Sequence, residues 1–375
     1  MLANAAVFLL MLAFACLAAN AQAPAGPIAP QSGVSVQQAP PDTRTKLKVH
    51  VALVNTPVTV RDAKGEMVLN LDATDFLVTD NGVPQKIGHF DLGGDSLSLV
   101  ILVETSPRVA PMFPALRKTG ILFTQTVLGP GGEAAVVGFN DSIDKLLDFT
   151  TNSDAIENTM ADLQQGTSGS KLYDAMSAGV EMLTSRLQPL NDNRRRVLLV
   201  LSEATDVGST SKLGEVLRQA QLDNITIYSV GLSTTRAELQ AEPKGTRIPS
   251  TPGTFPLPPQ PGVPQTPTSE AQRYGNIDLL PLAVWIVQHV EHQVKAHALG
   301  VAATATGGAH FSTFRDGSIE KAIDEIGGEL HSQYSISYTP AGMDQPGYHE
   351  IKVEVDRPGL KVRARPGYYL APPET

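Results

Sequence analysis

The run Leu97-Ser98-Leu99-Val100-Ile101-Leu102-Val103 leads directly into the polar stretch Glu104-Thr105-Ser106-Pro107-Arg108. Seven nearly continuous apolar residues have no side that suits water. Such a run reads as a strand buried on both faces, the kind found in parallel sheets covered by helices. In such sheets ligands sit just past the carboxyl ends of the strands, so the loop at Glu104 falls where function is expected. Val197 to Ser202 is a second near-continuous apolar strand, and it runs into Glu203.

Between and after these strands the pattern alternates strand and helix, which predicts an α/β domain with a doubly wound, mostly parallel sheet. Pro107 to Leu128 reads as one helix with Met112, Leu116, Ile121 and Leu122 inward. Ala134 to Asn140 and Ile143 to Phe149 read as a strand pair. Asn152 to Leu163, Leu172 to Leu187, Leu213 to Leu222 and Ile319 to Leu330 read as helices, and Leu279 to Leu299 as one long amphipathic helix. Ile225 to Gly231 is a strand, and Gly307-Gly308-Ala309-His310-Phe311 starts the last one of this block.

The flanks have a different period. Val49, Val51 and Leu53, then Val58 and Val60, alternate with other residues, and Asp80-Asn81-Gly82 suits a hairpin turn needing positive φ. At the far end Tyr334 to Tyr338 alternates, as do Ile351, Val353 and Val355, and Val362 follows between arginines. Two incomplete sets of strands around an α/β block predict one β-sandwich formed by N- and C-terminal strands, with the α/β domain inserted. Two separate small β-modules are the alternative. Asp72, Asp75, Asp80 and Asn81 are explained by turn formation before any calcium site.

The expected organisation is a signal peptide at 1–21, a Pro/Ala/Gln-rich linker at 22–45, the first sandwich part at 46–94, the α/β domain at 95–331 and the second sandwich part at 332–375. Ala5 to Ala19 is apolar but short for a membrane span, and Ala19-Asn20-Ala21 fits a signal-peptidase site. An uncleaved anchor is the alternative. The only cysteine, Cys16, lies in this segment, so the mature chain is expected to have no thiol and to rely on packing for its stability. A secreted or periplasmic, cell-envelope location follows, with no membrane span after signal removal. Residues 240–275 hold a Pro-rich surface loop. The net charge of −9 and the short Arg194-Arg195-Arg196 run, read as a solvated strand entry, argue against nucleic acid as a partner.

Five segments resemble, in order, the von Willebrand factor type A (VWFA) domain. They are Glu133 to Phe139, Gly169-Ser170-Lys171-Leu172-Tyr173-Asp174-Ala175, Leu198 to Ala204, Ile227 to Gly231 and Ala305 to Gly308, and the strand entering Glu104 resembles the start of that domain. Val58 to Phe90 and Tyr334 to Tyr369 extend the likeness to exported acidobacterial VWFA-related proteins. The resemblance implies a metal-ion-dependent adhesion site in which Ser, Ser and Thr hydroxyls and two Asp hold a divalent cation. The matching positions here are Glu104, Ser106, Arg108, Ser170 and Glu203. Ser106 and Ser170 keep hydroxyls. Each glutamate is one methylene longer than the family's aspartate, which disturbs magnesium's narrow octahedral shell. Arg108 donates only and repels a dication.

These substitutions make the expected site a degenerate one. The reading is a non-enzymatic, adhesion-type interaction protein that binds an unknown protein partner without a cofactor, through Glu104, Thr105, Ser106, Arg108, Ser170, Lys171, Glu203 and Asp206. Arg108 is expected either to pair with Glu104 or Glu203 in the vacated metal position, or to point to solvent. One alternative is a magnesium- or manganese-dependent adhesin with a variant site at Ser106, Ser170, Glu104 and Glu203. Another is a hydrolase that uses Glu104 and Glu203 as acid and base. His289, Glu291, His292 and His297 lack zinc-protease spacing. Gly166 to Lys171 lacks the phosphate-loop spacing, and no Gly-x-Ser-x-Gly elbow occurs.

Overall fold

The computed structural model describes residues 53–93, 96–186, 194–232, 280–288, 297–313, 316–341 and 345–370, all within the unit Val51–Thr375. The expected signal peptide, the linker, Cys16, the Pro-rich loop at 240–275, and His289, Glu291 and His292 lie outside the described residues.

Four strands come first: β1 (Val54–Arg61), β2 (Phe76–Asp80), β3 (Val83–Gln85) and β4 (Ile87–Leu92). Then β5 (Leu97–Glu104) enters a six-stranded sheet with β6 (Glu133–Phe139), β7 (Ile143–Thr150), β8 (Arg195–Ser202), β9 (Ile225–Leu232) and β10 (His310–Thr313). The order is β10-β9-β8-β5-β6-β7, parallel except for β7. From β5 the chain first moves to β6 on one side and later returns to β8 on the other. The strand order therefore reverses at β5, and the crevice at its carboxyl end is the switch point where such sheets bind ligands.

Every residue of β5 is buried because helices cover both faces. Leu99, Ile101 and Val103 join one apolar cluster with helices α1 (Ser153–Ala161) and α6 (Asp316–Ser332). Val100 and Leu102 join another with α2 (Leu172–Ser185), α3 (Leu213–Leu222), α4 (Leu280–Gln288) and α5 (Ala298–Thr306). Each fully buried aliphatic contributes about 1.5–3 kcal/mol, so this strand fixes the position of Glu104 firmly.

Two helical expectations are corrected. Residues 107–127 are a chain of short turns: a 3₁₀ segment Pro107–Met112, α-turns at Phe113–Leu116 and Gly120–Leu122, and a π-turn at Phe123–Val127. Pro111 and Pro114 lack the amide hydrogen and crowd the preceding turn, so no continuous helix forms. The changed phase leaves Ile121 exposed and buries Phe123 and Val127. Likewise 279–299 is not one helix, because His297 takes a left-handed φ of 59° at the start of α5, which a helix cannot run through.

The remaining strands are β11 (Tyr334–Tyr338), β12 (Gly347–Val355), β13 (Lys361–Ala364) and β14 (Gly367–Leu370). They form two antiparallel sheets with β1–β4, in the orders β13-β1-β11-β4 and β14-β12-β2-β3. Both sheets mix strands from the two ends of the chain. Val54, Val58 and Val60 from one and Phe76, Val78 and Ile351 from the other belong to a single apolar cluster with Tyr334, Tyr338 and Tyr368. The β2–β3 hairpin turns at Asn81 and Gly82, both at positive φ, as the Asn-Gly pair predicts. Asp80 is more than a turn residue. Its side chain is fully buried and accepts hydrogen bonds from the Tyr338 and Tyr368 hydroxyls, each at 2.9 Å.

Candidate functional site

The carboxyl end of β5 carries Glu104, whose carboxylate is fully buried and saturated by local donors. The Ser106 hydroxyl donates to Oε1 at 2.6 Å; the Ser202 hydroxyl and the Glu203 amide donate to Oε2 at 2.7 and 2.9 Å. One anion thus ties the loop after β5 to the loop after β8. A second set of bonds adds the loop before α2. The Thr105 carbonyl accepts from the Gly166 amide at 2.8 Å, and the Asn140 side-chain amide donates to the Thr105 hydroxyl at 3.0 Å. A side chain at Gly166 would start 2.1 Å from that Asn140 amide, so only glycine allows the approach. Ser170 then bridges Val207, whose amide donates to the Ser170 carbonyl at 2.7 Å.

The residues singled out from sequence therefore meet in one place, with different accessibility. Glu104, Thr105, Ser106 and Ser170 are buried, Lys171, Glu203 and Asp206 are half-buried, and Arg108 is exposed. Asp206 accepts from the Tyr173 amide at 3.2 Å, and Lys171 stands at the start of α2 with its amide on the Asn140 carbonyl. Asp174 accepts from the Thr210 and Ser211 amides at 3.0 and 2.8 Å, which pins the far end of the 203–210 loop. Burial alone would raise the Asp174 pKa, but these hydrogen bonds outweigh it and hold the group below the ordinary aspartate value.

Burial first, then the negative charge of Glu104, push Glu203 above the ordinary glutamate range, while Arg108 pulls it back. Arg108 acts through that field; among the described residues it makes no hydrogen-bonded ion pair with either glutamate. Two buried oxygens in this loop cluster have no hydrogen-bond partner, Ser170 Oγ and Glu203 Oε2. Unsatisfied buried oxygens are costly, and with the Ser106 hydroxyl they are hard donors of the type that magnesium or manganese takes. Among the described residues no three His, Cys, Asp or Glu side chains converge on a metal position, although a hydroxyl-based site needs no such triad.

Some participants gave little sequence signal. Ser202 is the last residue of an apolar strand, and Asn140 sits in an ordinary turn, yet both hold the loops in place. Ala204 has φ of 66°, a left-handed conformation that costs a non-glycine residue about 1 kcal/mol. Its amide donates to the Ser202 hydroxyl at 3.0 Å, so the strained turn serves the same cluster. His297, the one described member of the histidine group, is exposed at the start of α5.

Neither the protein-family models nor the curated proteins contain a match. Among solved structures the chain is similar to an aerotolerance-related membrane protein from Bacteroides fragilis, at 13% identity over 62% of this chain and 99% of that one, with a TM-score of 0.38. It is similar to the SpRpn10 VWA domain at 14% identity, 36% and 74% coverage and a TM-score of 0.26. It is also similar to proximal thread matrix protein 1 from the mussel byssus with a zinc-occupied MIDAS motif, at 11% identity, 67% and 49% coverage and a TM-score of 0.41. Among the described residues no helix is long and apolar enough to cross a membrane, which says nothing of a β-barrel.

Proposed function

We propose that this chain is an exported, non-enzymatic interaction protein: a VWFA-type α/β domain set into a β-sandwich, recognising a protein partner at the carboxyl edge of the parallel sheet. The recognition surface is formed by Glu104–Val109, Gly166–Leu172 and Glu203–Thr210. The observation that carries this reading is the state of Glu104. Its oxygens are spent on Ser106, Ser202 and the Glu203 amide, so it scaffolds loops and leaves Arg108 as the exposed charge among half-buried Lys171, Glu203 and Asp206. Partner binding then runs through Arg108 and needs no metal.

The test is retention of cell-envelope proteins on the immobilised chain. Retention that survives a chelator and falls on Arg108→Ser is expected. Retention abolished by the chelator and unchanged by Arg108→Ser overturns it.

A second reading has its own observation. The unpartnered Ser170 Oγ and Glu203 Oε2 favour a divalent cation held by Ser106, Ser170 and Glu203, which would supply a bridging positive charge to a partner carboxylate. Calorimetric titration with magnesium and manganese separates the two: micromolar binding lost on Ser170→Ala belongs to the metal-dependent adhesin. The hydrolase alternative requires a free acid–base pair. Glycan or ester turnover removed by Glu203→Gln would replace both readings.

A further inference from the structure

The opposite edge of the parallel sheet holds a cavity of about 270 Å³, where β8 and β9 begin. Its lining includes Arg194, Arg195, Arg196 and Arg365, with Asp223 as the single carboxylate among the described residues. The arginine triplet that reads from sequence as a solvated strand entry is therefore not one: Arg195 is only 9% exposed, and Arg196 is half-buried on the next position of the strand. Arg365 arrives from the segment between β13 and β14 and is only 4% exposed.

The way these cations are satisfied is unusual. The described hydrogen bonds of Arg196 and Arg365 end on neutral oxygens, the Asp223 carbonyl at 3.1 Å and the Asn224 side-chain carbonyl at 3.0 Å. Arg365 Nε is buried with no partner, and so is Gln221 Oε1 on the same lining. The nearby acids are occupied elsewhere. Asp223 Oδ2 accepts from Thr184 and Gln219, and Asp80, whose charge reaches Arg365, accepts from two tyrosines and has His349 Nδ1 at 3.3 Å. Arg365 feels the charge of Asp80 and lies 5.7 Å from the Tyr368 ring centroid, but among the described residues no carboxylate is hydrogen-bonded to it, and burying a guanidinium that way is costly. Bidentate recognition by guanidinium is what binds phosphate-type oxyanions most selectively.

We propose that this cavity is a binding site for a small phosphate-type oxyanion, held by Arg196 and Arg365, with Arg195 adding positive field and Gln221 accepting from a protonated oxygen. The volume lies just under the usual range for small-molecule sites, which suits inorganic phosphate or a short phosphomonoester. Asn55 and Pro57 of β1, Arg365 from the turn after β13 and Arg196 of the parallel sheet line the same space, so an occupant stabilises the joint between them.

The experiment is calorimetric titration of the full chain with inorganic phosphate and, separately, with glycerol 3-phosphate, against sodium chloride at matched ionic strength, with thermal melting in parallel. Saturable binding of phosphate and a raised melting temperature are expected. Arg196→Gln, a half-exposed position that should leave the fold intact by circular dichroism, is expected to weaken binding by about tenfold, the loss of one charge-assisted hydrogen bond. Arg365→Lys is the second variant and should weaken it comparably. Glycerol 3-phosphate binding more tightly than phosphate assigns the site to a monoester, and the reverse assigns it to the free ion. Melting shifts reproduced by chloride, absence of saturable binding to both probes in the wild-type chain, or binding untouched by folded Arg196→Gln would overturn the proposal.

Discussion

At the scale of single residues, the candidate site depends on where hydrogen bonds end. Glu104 accepts three of them in full burial, so Glu104→Ala leaves two hydroxyls and an amide without their acceptor. A loss on the order of 2–4 kcal/mol is expected in urea denaturation, and Glu104→Gln should recover part of it. Ala204 makes the opposite prediction. At φ of 66° it is strained, and Ala204→Gly should stabilise the fold by about 0.5–1 kcal/mol in the same assay. These roles were legible in sequence only in part. Glu104, Ser106 and Glu203 stand out because polar residues follow apolar strands, and Ser170 only through the resemblance of Gly169 to Ala175 to the VWFA segment. Ser202 and Asn140 do not, because a hydroxyl or amide in a strand end or turn is ordinary until its acceptor is known.

At the scale of elements, periodicity gave the parallel strands almost residue for residue. It failed between 107 and 127 and between 279 and 299. In the first, two prolines override a helical pattern. In the second, one left-handed residue interrupts it. The loop after β8 is held by the start of α2 rather than by its own sequence, since Asp174 accepts from Thr210 and Ser211. Asp174→Ala should cost about 1 kcal/mol, as loss of a side-chain cap does, and should raise hydrogen exchange at 209–211.

The same contact gives a pH dependence. Asp174 is depressed in the folded state, so its contribution is complete above the ordinary aspartate pKa of 3.8 and disappears as pH falls through the lower folded value. Exchange protection of 209–211 should therefore fall below about pH 4 in the wild type, while Asp174→Asn should show no such acid step.

At the scale of the whole molecule, one buried carboxylate joins the parallel sheet to the antiparallel strands. Glu329 of α6, 1% exposed, accepts from the Tyr228 hydroxyl of β9 at 2.7 Å, from Arg61 of β1 at 3.3 Å and from Arg363 of β13. Removing one partner of such a buried network costs about 3–5 kcal/mol. The single tryptophan, Trp285, lies in α4, so its fluorescence reports the parallel-sheet block while far-ultraviolet circular dichroism reports all elements. Wild-type transitions by the two probes should coincide. Glu329→Ala should lower stability and separate them, and coincident transitions in that variant would show that the joint is held by other contacts.

The doubly wound sheet, the hairpin at Asn81-Gly82 and the edge at which Glu104 and Glu203 stand are written along the chain, because hydrophobic period and turn chemistry are local properties that it carries wherever it folds. Packing in three dimensions makes Asp80 and Glu329 buried anchors, encloses Arg195 and Arg365 and leaves Arg108 facing solvent. Whether a charged side chain is buried depends on which distant strand supplies its partner, and no pattern along the chain records that distance.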